Sequence, residues 1–162
     1  MNRDDRIAFR IRDAARGDES HILALLGELA AYEKMPPPAL TEEKIARDML
    51  EPGRVCTCHL LVADAEPAGI AVWYTIYRTF PALRGVYVED LYVQPQFRGR
   101  GGGKLLLAHM ARIARGENGF LEWRALDWNK PARDFYEGLG AVAIPEWIGY
   151  RLHGDALERL CL

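Results

Sequence analysis

The chain lacks any apolar run near the ~20 residues that a membrane-spanning helix needs. Its first residues, Met1-Asn2-Arg3-Asp4-Asp5-Arg6, lack the apolar core of a secretory signal. A cytoplasmic location is the resulting expectation. Cysteine is scarce, with Cys56, Cys58 and Cys161 the only three. A C-x-C pair with no second pair and no histidine cluster is poor ground for zinc. His21, His59, His109 and His153 share no ligand spacing, so no metal is expected. Cys56 and Cys58, two apart, read as small hydrophobes on one face of a strand. Charge of one sign is also missing: the net charge of −2 gives no electrostatic case for nucleic acid or an anionic membrane. With no repeat, low-complexity tract or linker, residues 1–162 read as one α/β domain with a substantial core.

Glycine and basic residues, by contrast, are concentrated in one place. Gln96-Phe97-Arg98-Gly99-Arg100-Gly101-Gly102-Gly103-Lys104 lies between a strand pattern (Val86 to Val93) and the run Leu105-Leu106-Leu107. A glycine-rich strand-to-helix turn gathers backbone N–H groups and lets a ligand approach the backbone itself. The helix start adds unpaired donors and partial positive charge, which suits a phosphate. A P-loop would need Ser or Thr after the lysine, but Leu105 follows Lys104. A dinucleotide fingerprint would need a third glycine where Lys104 stands. Arg98-x-x-Gly101-x-Gly103 survives both tests as a phosphate cradle, with a flexible basic turn as the bland alternative.

Elsewhere the pattern predicts a strand at Phe9–Arg12, then a helix capped by Asp18 with Ile22, Leu25, Leu26 and Leu29 as its apolar stripe. Pro36-Pro37-Pro38 breaks that helix, and a second, capped by Thr41, runs to Leu50. Strands are predicted at 55–64, 70–78 and 86–93, a helix to about Gly116, and a strand from Phe120 to Trp128. Asn129 caps a helix with Pro131 in its first turn; strands at 141–144 and 148–152 and a terminal helix from Asp155 complete the chain. The order β-α-α-β-β-β-α-β-α-β implies a mixed sheet with helices on its faces.

The loop motif resembles the acyl-CoA pyrophosphate loop of the GCN5-related N-acetyltransferase (GNAT) superfamily. Glu28-Leu29-Ala30-Ala31-Tyr32-Glu33, Tyr87-Val88-Glu89-Asp90-Leu91-Tyr92-Val93, Arg98–Gly103, and Trp128-Asn129-Lys130-Pro131 with Phe135-Tyr136 occur in that order. Together they resemble the spermidine/spermine N-acetyltransferase branch, with its thialysine-acetylating relatives, from about Phe9 to the C-terminus. The resemblance implies an α/β fold with a mixed, mostly antiparallel central sheet and helices on both faces, and acetyl-CoA as co-substrate. Backbone groups of Leu91, Tyr92 and Val93 would hold its acetyl and pantetheine parts. Arg98, Gly99, Arg100, Gly101, Gly102, Gly103 and Lys104 would hold the pyrophosphate, with Asn129 and Arg133 also on the cofactor side. Tyr136 would stand near the thioester sulfur as general acid. Glu28, Glu33, Glu89 and Asp90 would serve the amine, and members with a similar tail form homodimers.

Acetyl transfer requires an unprotonated nitrogen, yet an aliphatic amine has a pKa near ~10.4, so a carboxylate must relay the proton. Glu89 and Asp90 are adjacent on a strand and therefore expected on opposite faces. The resemblance favours Glu89 as base and leaves Asp90 to a backbone or basic partner. Trp147-Ile148 stands where polyamine-specific members would carry acids, and Arg78 and Arg84 flank the expected cleft. These features leave room for a shorter or zwitterionic amine, such as a lysine analogue. The expected activity is N-acetylation of a small primary amine in a ternary complex. Acetylation of a protein lysine or N-terminus, or non-catalytic acyl-CoA sensing, are the alternatives.

Overall fold

The computed structural model describes residues 7–116 and 119–161. They form two compact units, divided between Arg124 and Ala125. The first contains strands β1 (Phe9–Asp13), β2 (Thr57–Ala63), β3 (Glu66–Arg78), β4 (Leu83–Val93) and β5 (Phe120–Trp123). These lie side by side in chain order, antiparallel except for the parallel β4–β5 pair. Its helices are α1 (Glu19–Tyr32), α2 (Glu42–Ile45), which continues as a π-helical turn Ala46–Leu50, and α3 (Gly102–Gly116). The mixed sheet with helices on both faces agrees with the expectation.

Two apolar layers explain why the central strands read as nearly unbroken hydrophobic runs. On one face, Cys58, Leu60, Val62, Ile70 and Val72 meet Ile22, Leu25, Leu26 and Leu29 of α1 together with Ile45 and Met49. On the other, Leu61, Ala71, Val86 and Val88 meet Leu106, Met110 and Ala114 of α3. The three- and four-residue spacing of both helical stripes lays one side of each helix on the sheet. α3 seats closely: a Cβ added at Gly102 would lie 2.7 Å from the Leu61 side chain.

Several local expectations change. Asp18 occupies the N-cap position of α1 but makes no side-chain cap. Its carboxylate is held instead by Arg12 at 2.6 and 2.7 Å and by the Ala15 amide at 2.9 Å. The second helix has the expected extent, but its last turn is π rather than α. β5 ends at Trp123, not Trp128, because its parallel ladder on β4 stops at the Val88–Trp123 pair.

The second unit holds α4 (Lys130–Gly138) and α5 (Asp155–Leu160). Asn129 caps α4 as expected, accepting from the Ala132 amide at 3.3 Å. The strands expected at 141–144 and 148–152 are not formed. No described strand pairs with them, and an unpaired strand leaves its ladder groups unsatisfied. Val142, Trp147 and Tyr150 are 86%, 83% and 91% exposed. Among the described residues, no helix is long and apolar enough to cross a membrane.

Candidate active site

A bulge in β4 organises the first unit's polar face. Val72 pairs with Asp90 and Trp73 with Val88, so Glu89 is an extra residue on its strand. The slip shows in the packing: Val86 and Val88 point into the α3 layer, and beyond the bulge Leu91 and Val93 do so too. Alternation is therefore broken between positions 88 and 91. Glu89 and Asp90, expected on opposite faces, both present their carboxylates on the α1 side. The Glu89 carboxylate accepts from the Tyr74 hydroxyl at 3.3 Å. Tyr74 stacks on Tyr87, its partner across the hairpin, with centroids 5.2 Å apart. Neither tyrosine stood out in the sequence, because their meeting depends on hairpin register.

Asp90 is half-buried and has no cation or hydrogen-bond donor within reach among the described residues. Burial, then the neighbouring Glu89 and Glu33, pushes its carboxyl up to about 6. Glu33, at the end of α1, is raised by burial as well. The partner expected for Asp90, backbone or basic, is therefore not found; acids surround it. Glu28, one turn earlier on α1, is held differently. It accepts from the Tyr92 hydroxyl at 3.2 Å and from Gln94 Nε2 at 2.9 Å, so it is a fixed acceptor rather than a loose solvated end.

The glycine loop follows β4 through a 3₁₀ turn, Pro95–Phe97. Gly99 and Gly101 have φ of +71° and +92°, a region side chains rarely tolerate. The Gly101 carbonyl accepts from the Leu105 amide at 2.9 Å and opens α3. The amides of Gly102, Gly103 and Lys104 thus belong to a first helical turn, whose N–H groups have no acceptor within the helix. Arg100 and Lys104 are exposed. Arg98 is engaged elsewhere: its Nε donates to the Val93 carbonyl at 2.8 Å, and its guanidinium lies 4.6 Å over Tyr32 and 5.4 Å over Tyr92. Because β5 pairs only with Gly85–Val88, no described strand pairs with that edge of β4 from Glu89 to Val93, which leads into this loop. A free strand edge beside a glycine turn with helix-start amides fits a ligand with an amide-bearing arm and a pyrophosphate.

The sequence matches the Acetyltransferase (GNAT) family over residues 22–141. This protein belongs to the GNAT acetyltransferases. It is 36% identical over 166 residues to a thialysine N-epsilon-acetyltransferase of Sus scrofa, covering 93% of this chain and 95% of that one. It is also 36% identical over 124 residues to an L-ornithine N5-acetyltransferase of Arabidopsis thaliana, covering 76% and 54%. Among solved structures, an integron cassette protein from the mobile metagenome of V. cholerae superposes with a TM-score of 0.79 at 25% identity, covering 96% and 98%. GNAT enzymes use acetyl-CoA as co-substrate, and the loop and open edge fit it.

In the second unit, Tyr136 sits half-buried on α4 with its ring 5.4 Å from that of Phe135. Arg133 donates to the Asp127 carbonyl at 3.0 Å. Asn129 is buried at the helix start. Of the basic residues expected near the cleft, Arg78 is consumed by Glu122, at 2.6 and 2.8 Å. His59 and His109, unrelated in sequence spacing, come together with ring centroids 4.6 Å apart. His59 Nδ1 accepts from Trp73 Nε1, and its Nε2 meets Asp13 at 2.9 Å, a polar knot between sheet and α3.

Proposed function

We propose that this GNAT enzyme acetylates a primary amine of a small molecule of the lysine, thialysine, diamine or polyamine kind. The observation that carries this is the β4 bulge, which turns Glu89 and Asp90 to the same face as Glu33 and the Tyr74–Tyr87 pair. Such an acid-lined, aromatic-walled face attracts an ammonium group and offers a proton acceptor for it. The names of the relatives, which act on thialysine and L-ornithine, support the same class.

Acetyl-CoA supplies the activated acetyl group. Backbone groups of Leu91, Tyr92 and Val93 would align its arm along the open β4 edge. Amides of the Arg98–Gly103 loop and of Lys104 would hold the pyrophosphate, with charge from Arg100 and Lys104 and with Asn129 and Arg133 also on the cofactor side. Glu89 takes the proton that the amine must lose, directly or through a water, so that a neutral nitrogen attacks. Tyr74 fixes the acceptor oxygen of Glu89. Glu28, Glu33 and Asp90 hold the substrate's positive charge. Tyr136 gives its phenolic proton to the departing sulfur, a modest aid because a thiol pKa of about 8.5 already makes a fair leaving group.

A homodimer belongs to this reading. It is supported by the exposed apolar residues at 141–144 and 148–152, which a strand from a second copy would cover. A cytoplasmic location goes with the soluble co-substrate. The test is CoA release with spermidine, a short diamine, lysine and thialysine as acceptors. Turnover of at least one is expected; binding of acetyl-CoA with silence toward all four would overturn the small-amine reading.

A further inference from the structure

The acid-lined face also has a cation at its rim. β4 and β5 pair in parallel up to Val88 and Trp123 and then part, so the next residues along the chain are Glu89 on β4 and Arg124 just past the end of β5. The phase of β5 gives the direction of Arg124. Leu121 and Trp123 pack into the α3 layer, whereas Glu122 meets Arg78 on the opposite face. Arg124 shares the phase of Glu122 and therefore the face of Tyr74, Tyr87 and Glu89. Its charge acts there: burial pushes the Tyr74 and Tyr87 phenols up, and Arg124 pulls both the other way. Arg124 is exposed and makes no hydrogen bond or ion pair among the described residues. Arg78, also on this face, is already committed to Glu122, its Nη2 donating to both carboxylate oxygens.

We propose that Arg124 is a specificity-determining residue that receives a carboxylate on the acceptor, so that the enzyme prefers the side-chain amine of a basic amino acid to a diamine. The inference rests on the small-amine reading above. Its logic is two-sided. A guanidinium fork matches a carboxylate with two parallel hydrogen bonds. The second ammonium of a diamine or polyamine would instead meet a like charge, so the same residue selects against it. Glu89 and Arg124 flank the fork between the strands and give the site a negative and a positive end, the charge pattern of a zwitterion.

The experiment compares kcat/KM for lysine and for 1,5-diaminopentane, which is lysine without its carboxylate, in the wild type and in Arg124→Gln and Arg124→Lys. The wild type is expected to favour lysine. Arg124→Gln should lower kcat/KM for lysine by about 10- to 100-fold, mostly through KM, the scale of one charge-assisted hydrogen-bonded contact. The diamine should be unaffected or improved. Arg124→Lys should recover part of the loss, because it restores the charge without the fork. Calorimetric binding of acetyl-CoA should be the same in all three proteins. An equal loss for both amines, a wild type that prefers the diamine, or weakened acetyl-CoA binding in the variants would each overturn the role of Arg124. Wild-type silence toward both amines, and toward spermidine and thialysine as well, would instead sink the small-amine reading, and this role with it.

Discussion

Replacing Asp90 by Asn should stabilise the fold near neutral pH and do nothing at low pH. In the folded protein this carboxyl is pushed from its ordinary value to about 6 by burial, Glu89 and Glu33. The ordinary value, about 3.9, applies to the unfolded chain. Between those values the folded state binds more protons than the unfolded state, so stability falls as pH rises through that window. The cost is complete above about pH 7. A shift of about 2 units corresponds to about 3 kcal/mol, which solvent screening of a half-buried group reduces to about 1–2 kcal/mol. Asparagine keeps the shape and carries no charge, and no hydrogen bond from another described residue is lost.

The assay is urea unfolding of both proteins from pH 4 to pH 8, followed by tryptophan fluorescence. The difference in stability should be near zero at pH 4, grow between pH 4.5 and 6.5, and level off with the variant ahead. In thermal melts that plateau corresponds to about 3–6 °C for a chain of this size. Carboxylates remote from Asp90 titrate alike in both proteins, so they cancel in the difference. A gap independent of pH, or a variant less stable at pH 7, would refute the placement of an unpaired, acid-flanked carboxyl at this position. A natural residue that costs stability and is kept fits a group that waits for a cation to complete it.

Two further outcomes follow from named contacts. Gly102→Ala should destabilise the protein by about 1–3 kcal/mol in the same urea assay, because its Cβ would press on Leu61 beneath α3; unchanged stability would mean that α3 can lift from the sheet at little cost. Tyr136→Phe should lower turnover while leaving acetyl-CoA affinity nearly intact by calorimetry, and an unchanged kcat would remove this hydroxyl from the reaction.

What could be read in advance was local. The glycine turn that opens α3, the Asn129 cap and the apolar stripe of α1 depend on residues within a few positions of each other, and they came out as expected. The β4 bulge did not, because the extra residue at Glu89 is defined against Val72 and Trp73 on the preceding strand. A strict two-residue alternation therefore sent Asp90 to the wrong face. The same blindness hid the Tyr74–Tyr87 stack, the His59–His109 pair and the commitment of Arg98 to Val93 and two tyrosine rings. At 141–144 and 148–152 the error ran the other way: the apolar residues are there, but no described strand pairs with them.

The two sides of the proposed site are written in different alphabets. On the co-substrate side the groups are mostly backbone: an open strand edge, two glycines with positive φ and the first amides of α3. Backbone donors survive most side-chain substitutions, so recognition of the common co-substrate is insulated from sequence change. On the acceptor side the groups are side chains on a bulge, a helix end and a strand terminus: Glu89, Asp90, Glu33 and Arg124. A change there alters charge and shape without touching the loop. This division explains how one fold can keep its acyl donor and change its amine. It also makes the Arg124 variants informative, since a residue on the acceptor side should move amine preference while donor affinity stays fixed.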